Sequence, residues 1–313
     1  MASSPQNVLW PGFVKNYTIV GLGELLWDVF PQGKQLGGAP ANFAYITSLL
    51  GDSGIVASRL GNDSLGKEAQ QQLQRLGLET KFVQRDSEHP TGTVNVQLDQ
   101  KGQPQFRITE SVAWDYLEWT PEWQALAAQA DAVCFGSLAQ RCRASRETVR
   151  AFMKSLRPGA TRVFDVNLRQ NFFSEEVLSE SLRCCDVFKL NHEELPRVMQ
   201  LLGMRHVNDE SSAAQLKTKY RLKMGCVTRG AEGSLLLGDS GTHQHPGLQV
   251  EVKDTVGAGD AFTAGLTHCY LRGTSLAKIS EVANRAGAWV ASQAGGTPVA
   301  AASKLTELRS LST

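Results

Sequence analysis

Near its C-terminal end the chain reads Asp254-Thr255-Val256-Gly257-Ala258-Gly259-Asp260-Ala261-Phe262, with two glycines in three residues and a carboxylate directly behind them. Phe262, Gly265, Leu266, Cys269 and Tyr270 recur at the spacing of a helix with one buried face, so the glycines form a loop feeding a helix N-terminus. Amides without carbonyl partners and the positive end of the helix dipole make such a terminus an anion site, and bare glycine backbone lets a phosphate come close. Asp260 would repel that anion. Its presence makes sense if it takes a proton from a hydroxyl about to attack the phosphate. An ordinary tight turn with an acidic first-turn residue has the same local pattern.

Five further positions or clusters sit where such chemistry would need them. Asp28 follows the β-branched run at 17–23, which reads as a buried strand, and ligands bind outside the carboxyl ends of strands in open α/β sheets. Asn42 lies in the first turns of a helix entered through Gly37-Gly38, either exposed or aimed into a crevice. Asp165, Asn167 and Arg169 point one way for as long as strand geometry lasts. Asn191 and Glu194, three apart at a helix start, suit Mg²⁺ held through water and phosphate oxygens, or equally a capping box. Thr228, Gly230 and Gly233 mark a third strand end open to close backbone approach.

The elements that must hold these clusters alternate. Strand-like runs at 54–58, 131–135, 162–166, 186–190 and 224–228 are separated by helical patterns, which is βα repetition and hence a doubly wound, mostly parallel sheet with helices on both faces. Residues 91–109 differ: Val94, Val96 and Leu98 alternate with polar residues, 99–102 form a turn, and Phe106 and Ile108 alternate again. This is a hairpin in a small separate sheet. The expected division is an α/β core of 1–27, 41–90 and 111–313 with a β-lid of 28–40 and 91–110. Runs at 233–237 and 248–252 are expected to form an antiparallel edge around the turn at 238–241, and 275–294 a closing helix stopped by Gly295-Gly296.

Bulk properties exclude other classes. A 313-residue chain with 42% hydrophobic residues buries a substantial core, and a formal net charge of +1 with mixed signs argues against a nucleic-acid surface. Six cysteines without CxxC spacing read as reduced core residues, and His192, His206, His243, His245 and His268 lack ligand spacing and read as structural or solvated, the 243/245 pair in a polar loop. Residues 1–16 lack the basic and apolar regions of a signal peptide, and no run is long enough to span a membrane, so the expectation is cytoplasmic residence without a membrane partner. Neither a GxSxG elbow nor a Walker loop is present.

Gly37-Gly38-Ala39-Pro40-Ala41-Asn42 and Asp254-Thr255-Val256-Gly257-Ala258-Gly259-Asp260, with the Asn191/Glu194 and Thr228/Gly230/Gly233 elements between them, resemble the signatures of the ribokinase-like, or PfkB-type, carbohydrate kinases over roughly residues 17–300. The resemblance implies ATP with Mg²⁺ and γ-phosphoryl transfer to a sugar alcohol beneath a β-lid. Asp260 then matches the catalytic base and the amides of Gly257, Ala258, Gly259 and Asp260 the anion hole. Asp28, Gly38 and Asn42 match sugar ligands, with Arg169 of the Asp165-Val166-Asn167-Leu168-Arg169 element beside them. Asn191 and Glu194 match the Mg²⁺ and phosphate motif, Glu194 reaching the ion through water; Thr228, Gly230, Gly233 and Asn284 fall where the family binds nucleotide. Many members use a monovalent cation such as K⁺ near the final glycines, where Gly295-Gly296 stand, and lid-to-lid homodimers are common among them. Residues 21–28 with GGAPAN look like the fructokinase branch. Ribokinase, 2-keto-3-deoxygluconate kinase and nucleoside kinase are the alternatives, the last needing a base-stacking surface from Trp27, Phe106 or Trp114; a non-catalytic sugar-binding regulator is the alternative of another class. Trp27, beside Asp28, departs from the common pattern and is expected to influence acceptor choice.

Overall fold

The computed structural model describes residues 16–31, 33–98 and 104–310, with backbone only for 96–98 and 104–106. The strands are β1 Thr18–Leu22, β2 Leu26–Phe30, β3 Gly33–Gly37, β4 Ser53–Gly61, β5 Val83–Asp86, β6 Gly92–Leu98, β7 Pro104–Ile108, β8 Ala132–Phe135, β9 Thr161–Asp165, β10 Val187–Asn191, β11 Met224–Thr228, β12 Ser234–Gly238 and β13 Gly241–His245. The helices are α1 Ala39–Leu49, α2 Ser64–Arg75, α3 Pro121–Gln129, α4 Arg143–Ser155, α5 Glu175–Cys184, α6 Glu194–Leu201, α7 Asp209–Tyr220, α8 Ala258–Leu271, α9 Leu276–Ala291 and α10 Ala302–Ser310.

Nine strands form the main sheet in the order β13-β12-β11-β10-β9-β8-β1-β4-β5, parallel from β11 to β5. Alternation inside each strand serves two cores. Ile19, Val56, Val163 and Val187 pack with α1, α8 and α9, whereas Val20, Ile55, Phe164 and Phe188 pack with α3 to α7. Burial on both faces is why these strands read as continuous apolar runs. The strand order reverses between β8 and β1, which is where open α/β sheets hold ligands in a crevice outside the carboxyl ends of the strands.

A second sheet, ordered β3-β2-β6-β7, is mixed: β2 runs parallel to β6, while β2–β3 and β6–β7 are antiparallel. Asp28 therefore lies on a strand of this sheet and not in a loop beyond β1. Val94 and Ile108 turn inward and are buried in a core; the turn at 99–102 and the side chains of Val96, Leu98 and Phe106 lie outside the described residues.

Two expectations need correction. The return strand after β12 is β13, because Gly238 pairs with Gly241 and Asp239-Ser240 close a two-residue hairpin; 248–252 are not a strand. His243 and His245 thus lie on a strand, and buried His245 meets Glu281 at 2.9 Å. The common direction of Asp165, Asn167 and Arg169 also fails. β9 ends at Asp165 and Asn167 takes φ 45°, which breaks the alternation and leaves Arg169 exposed.

Candidate active site

The glycine loop does feed a helix. Gly257 caps α8 at φ 75°, and a Cβ there would fall 2.4 Å from Gly296 Cα, so only glycine lets the 254–257 loop lie against the Gly295-Gly296 turn. Asp254 ties the same turn by accepting the Gly295 amide at 3.0 Å. The N-terminus of α8 thereby lies beside Asn42 of α1, with Asp260 in its first turn.

Asp260 meets Asn42 across the crevice floor. Asn42 Nδ2 donates to Asp260 Oδ2 at 2.8 Å, and Asn42, 3% exposed, holds an Oδ1 with no hydrogen-bond partner. Gly38, at φ 110°, starts α1 so close to the preceding loop that a Cβ would fall 2.5 Å from Glu24 O. Burial, and then the Asp165 carboxylate, push the Asp260 pKa up to about 6, against the pull of Asn42, Lys189 and Arg169. Such a group is ionised near neutrality yet basic enough to accept a proton. Asp28 is likewise raised to about 6, by burial and Asp254 against Arg169.

Trp27 does not reach this face. It alternates with Asp28 on β2, is 4% exposed, donates its indole N–H to Leu65 O at 3.0 Å and carries Lys34 over its ring. Trp114 is fully buried beneath Arg141. Neither indole presents a face on which a nucleobase stacks, because both are consumed in packing.

On the other side Asn191 and Glu194 form the reciprocal capping arrangement. Asn191 Oδ1 accepts the Glu194 amide at 2.8 Å, and Glu194 Oε2 accepts the Asn191 amide at 2.8 Å. Glu194 Oε1 also accepts the Leu168 amide at 2.7 Å, which pins the loop after β9 to α6. Each carboxylate oxygen keeps a second lone pair, so the cap does not exhaust Glu194 as an acceptor from water. Among the described residues no group of three or more His, Cys, Asp or Glu side chains is placed to cage a metal. Mg²⁺ bound through water and phosphate needs no such cage.

Thr228 ends β11 opposite Asn191, and Gly230 and Gly233 bracket the following turn at φ 57° and 82°. Asn284 turns away from solvent, donating to Ser280 O and Ser234 Oγ at 2.8 Å each. In this arrangement it braces α9 against β12.

Two groups escaped sequence reading. Lys189, 7% exposed on β10, reaches Asp165 at 3.1 and 3.2 Å, and Thr263 on α8 donates to the same carboxylate at 2.7 Å. A lysine inside an apolar strand, two residues before Asn191 and on its face, was the available signal. Glu24, 4% exposed with Oε2 unpartnered, is pushed up to about 7 by burial and by Asp260. Only the folded loop shows that it faces Asp260.

Residues 16–302 match the pfkB family of carbohydrate kinases. The chain belongs to that family. It is 32% identical over 259 residues to a fructokinase of Escherichia coli, covering 78% of this chain and 81% of the relative. It is 28% identical to an aminoimidazole riboside kinase of Salmonella typhimurium, covering 78% of each. Among solved structures, Vibrio cholerae fructokinase with fructose, ADP and calcium superposes with a TM-score of 0.76 at 25% identity, covering 94% of this chain and 98% of that one. Family membership makes the chain a sugar phosphotransferase on a ribokinase-like fold. No described helix is long and apolar enough to cross a membrane.

Proposed function

We propose that the chain is an ATP-dependent fructokinase, converting fructose and ATP to fructose 6-phosphate and ADP in the cytoplasm. The observation that carries the chemistry is the Asn42–Asp260 hydrogen bond of 2.8 Å at the head of α8, which sets a basic carboxylate beside an anion-binding helix terminus. Fructose as acceptor is supported by the fructokinase relative and by the fructose-bound neighbour. The ADP held by that neighbour supports ATP as donor.

Asp260 accepts the proton of the primary hydroxyl, whose oxygen attacks the γ-phosphorus while the bond to the bridging oxygen of ADP breaks. The amides of Gly257, Ala258, Gly259 and Asp260 hold the charge that develops on the transferred group. Asp28, Gly38, Asn42 and Arg169 hold the sugar; Thr228, Gly230 and Gly233 approach the nucleotide; the small sheet serves as a lid that excludes water. Asn191 and Glu194 would hold Mg²⁺ through water, and the bound ion neutralises phosphate charge.

A coupled ADP-release assay over fructose, ribose, glucose, 2-keto-3-deoxygluconate, adenosine and fructose 6-phosphate, run in K⁺ and in Na⁺, tests this. Fructose should give the highest kcat/KM, and another preferred acceptor would refute fructose while leaving the kinase. Asp260→Asn should bind sugar and nucleotide yet lose about 10²- to 10⁴-fold in kcat. A variant near wild-type turnover would show that Asp260 is not the base.

A further inference from the structure

The buried Lys189–Asp165 pair has no place in the reaction just described, yet it lies directly under the loop that performs it. A Cβ built on Gly259 would stand 3.0 Å from Lys189 Nζ, so the ammonium lies close behind the Gly259 backbone on the buried side. Lys189 is 7% and Asp165 4% exposed, and the carboxylate is anchored by Lys189 at 3.1 and 3.2 Å and by Thr263 Oγ1, one helical turn beyond Gly259, at 2.7 Å.

We propose that Lys189 is a positioning residue for phosphoryl transfer: its ammonium backs the Gly257–Asp260 amides, adding fixed positive potential where charge develops, while Asp165 and Thr263 lock it beneath α8. This rests on the reading of α8 as the site of phosphoryl transfer. A buried cation is costly unless paired, and a pair that served packing alone is replaceable by apolar side chains. Here the neighbours on the same face of the sheet are apolar or thiol, Val163, Val187, Cys134 and Cys226. Charge at this spot therefore answers to something above it and not to the core around it.

The charged groups facing the pair come from several elements. Lys189 interacts with Asp165 on β9, Glu194 on α6 and Asp260 on α8, and its field reaches the thiols of Cys134 on β8 and Cys226 on β11. Burial opposes the ammonium, but the three carboxylates outweigh it and raise its pKa, so it stays charged. Asp260 is faced by Asp165, Lys189 and Arg169, by the neutral amide of Asn42, and by Glu24. Asp165 raises the Asp260 pKa and Lys189 lowers it, so the pair sets the base from below as well as the anion hole.

The test uses the full chain as Asp165→Asn, Lys189→Met and the double variant K189M/D165N, with kcat and KM for fructose and ATP, thermal unfolding, and NMR titration of the Asp260 carboxyl in the ligand-free protein. Lys189→Met should lose about ten- to a hundredfold in kcat with little change in either KM, as for other preorganised charges near a developing anion. It strands the Asp165 carboxylate, so its unfolding temperature should fall; the double variant should recover stability but not rate. D165N removes a like charge from Asp260 and should move its titration below about 6. A double variant with wild-type kcat, or an Asp260 titration unmoved in D165N, overturns the proposal. If both Lys189 variants fail to fold, the D165N titration decides alone. Should Asp260→Asn retain turnover, the functional reading falls, while the titration still reports whether the pair sets the potential at α8.

Discussion

Replacing Asn42 by alanine isolates the contact on which the site reading depends. The amide donates to Asp260 Oδ2 at 2.8 Å from a position 3% exposed, and this bond helps hold the Asp260 pKa down to about 6. A hydrogen bond to a charged group contributes about 1.5 to 3 kcal/mol, and each 1.36 kcal/mol of preference for the ionised form is about one pKa unit. Losing it should raise Asp260 to roughly 7 or 8, with water entering the vacated space favouring the lower figure. The base works ionised, so activity is present above its pKa and lost as pH falls through it. At about pH 7 the wild type is then roughly nine-tenths ionised and the variant about half to one-tenth, a two- to tenfold loss in kcat. At about pH 9 most of that loss should vanish. The assay is the pH profile of kcat at saturating fructose and ATP. An acid limb that stays near 6 would refute the claim that Asn42 tunes the base, and a uniform loss at every pH would leave Asn42 a sugar ligand only.

Three other outcomes follow from the same geometry. Glu24 has a folded pKa of about 7, above its unfolded value, so its ionisation opposes folding as pH rises through that range. Glu24→Gln should raise the unfolding temperature at about pH 8 more than at about pH 4, and an equal effect at both would disprove the burial argument. Glu194→Gln replaces one acceptor of two amide hydrogen bonds by a donor, which should cost about 1–3 kcal/mol in chemical denaturation and weaken Mg²⁺ dependence; unchanged stability would mean the Asn191–Glu194 cap is dispensable. Trp27→Phe loses the hydrogen bond to Leu65 O and should lower the unfolding temperature while leaving the ranking of acceptor sugars intact; a changed ranking would show that the far face of β2 does read the sugar.

Much of the fold was legible because burial on both faces writes a continuous apolar run, as in β8 to β11, and one-sided burial writes alternation, as where buried Val94 precedes exposed Asn95 and buried Ile108 follows exposed Arg107. What misled was anything depending on where a strand stops. β9 ends at Asp165, so Arg169 does not follow its phase; β13 begins directly after a two-residue turn, so the apolar residues at 248–252 are not its strand. The same one-residue question separated Trp27 from Asp28, since alternation on β2 sends them to opposite faces.

The amino-acid sequence by itself determined the chemistry on offer: a glycine loop entering a helix, a carboxylate in its first turn, and polar residues at successive strand ends, all local patterns set by spacing. Tertiary structure decided which groups meet. Asn42 and Asp260 are 218 positions apart and Asp165 and Thr263 are 98 apart, and no periodicity reports such pairs. It also decided how acidic those groups are, because Glu24 and Asp260 are both raised first by burial, and further by a neighbouring carboxylate, that of Asp260 for Glu24 and that of Asp165 for Asp260. Both exist only once β1, β9, β10 and α8 have closed around the crevice.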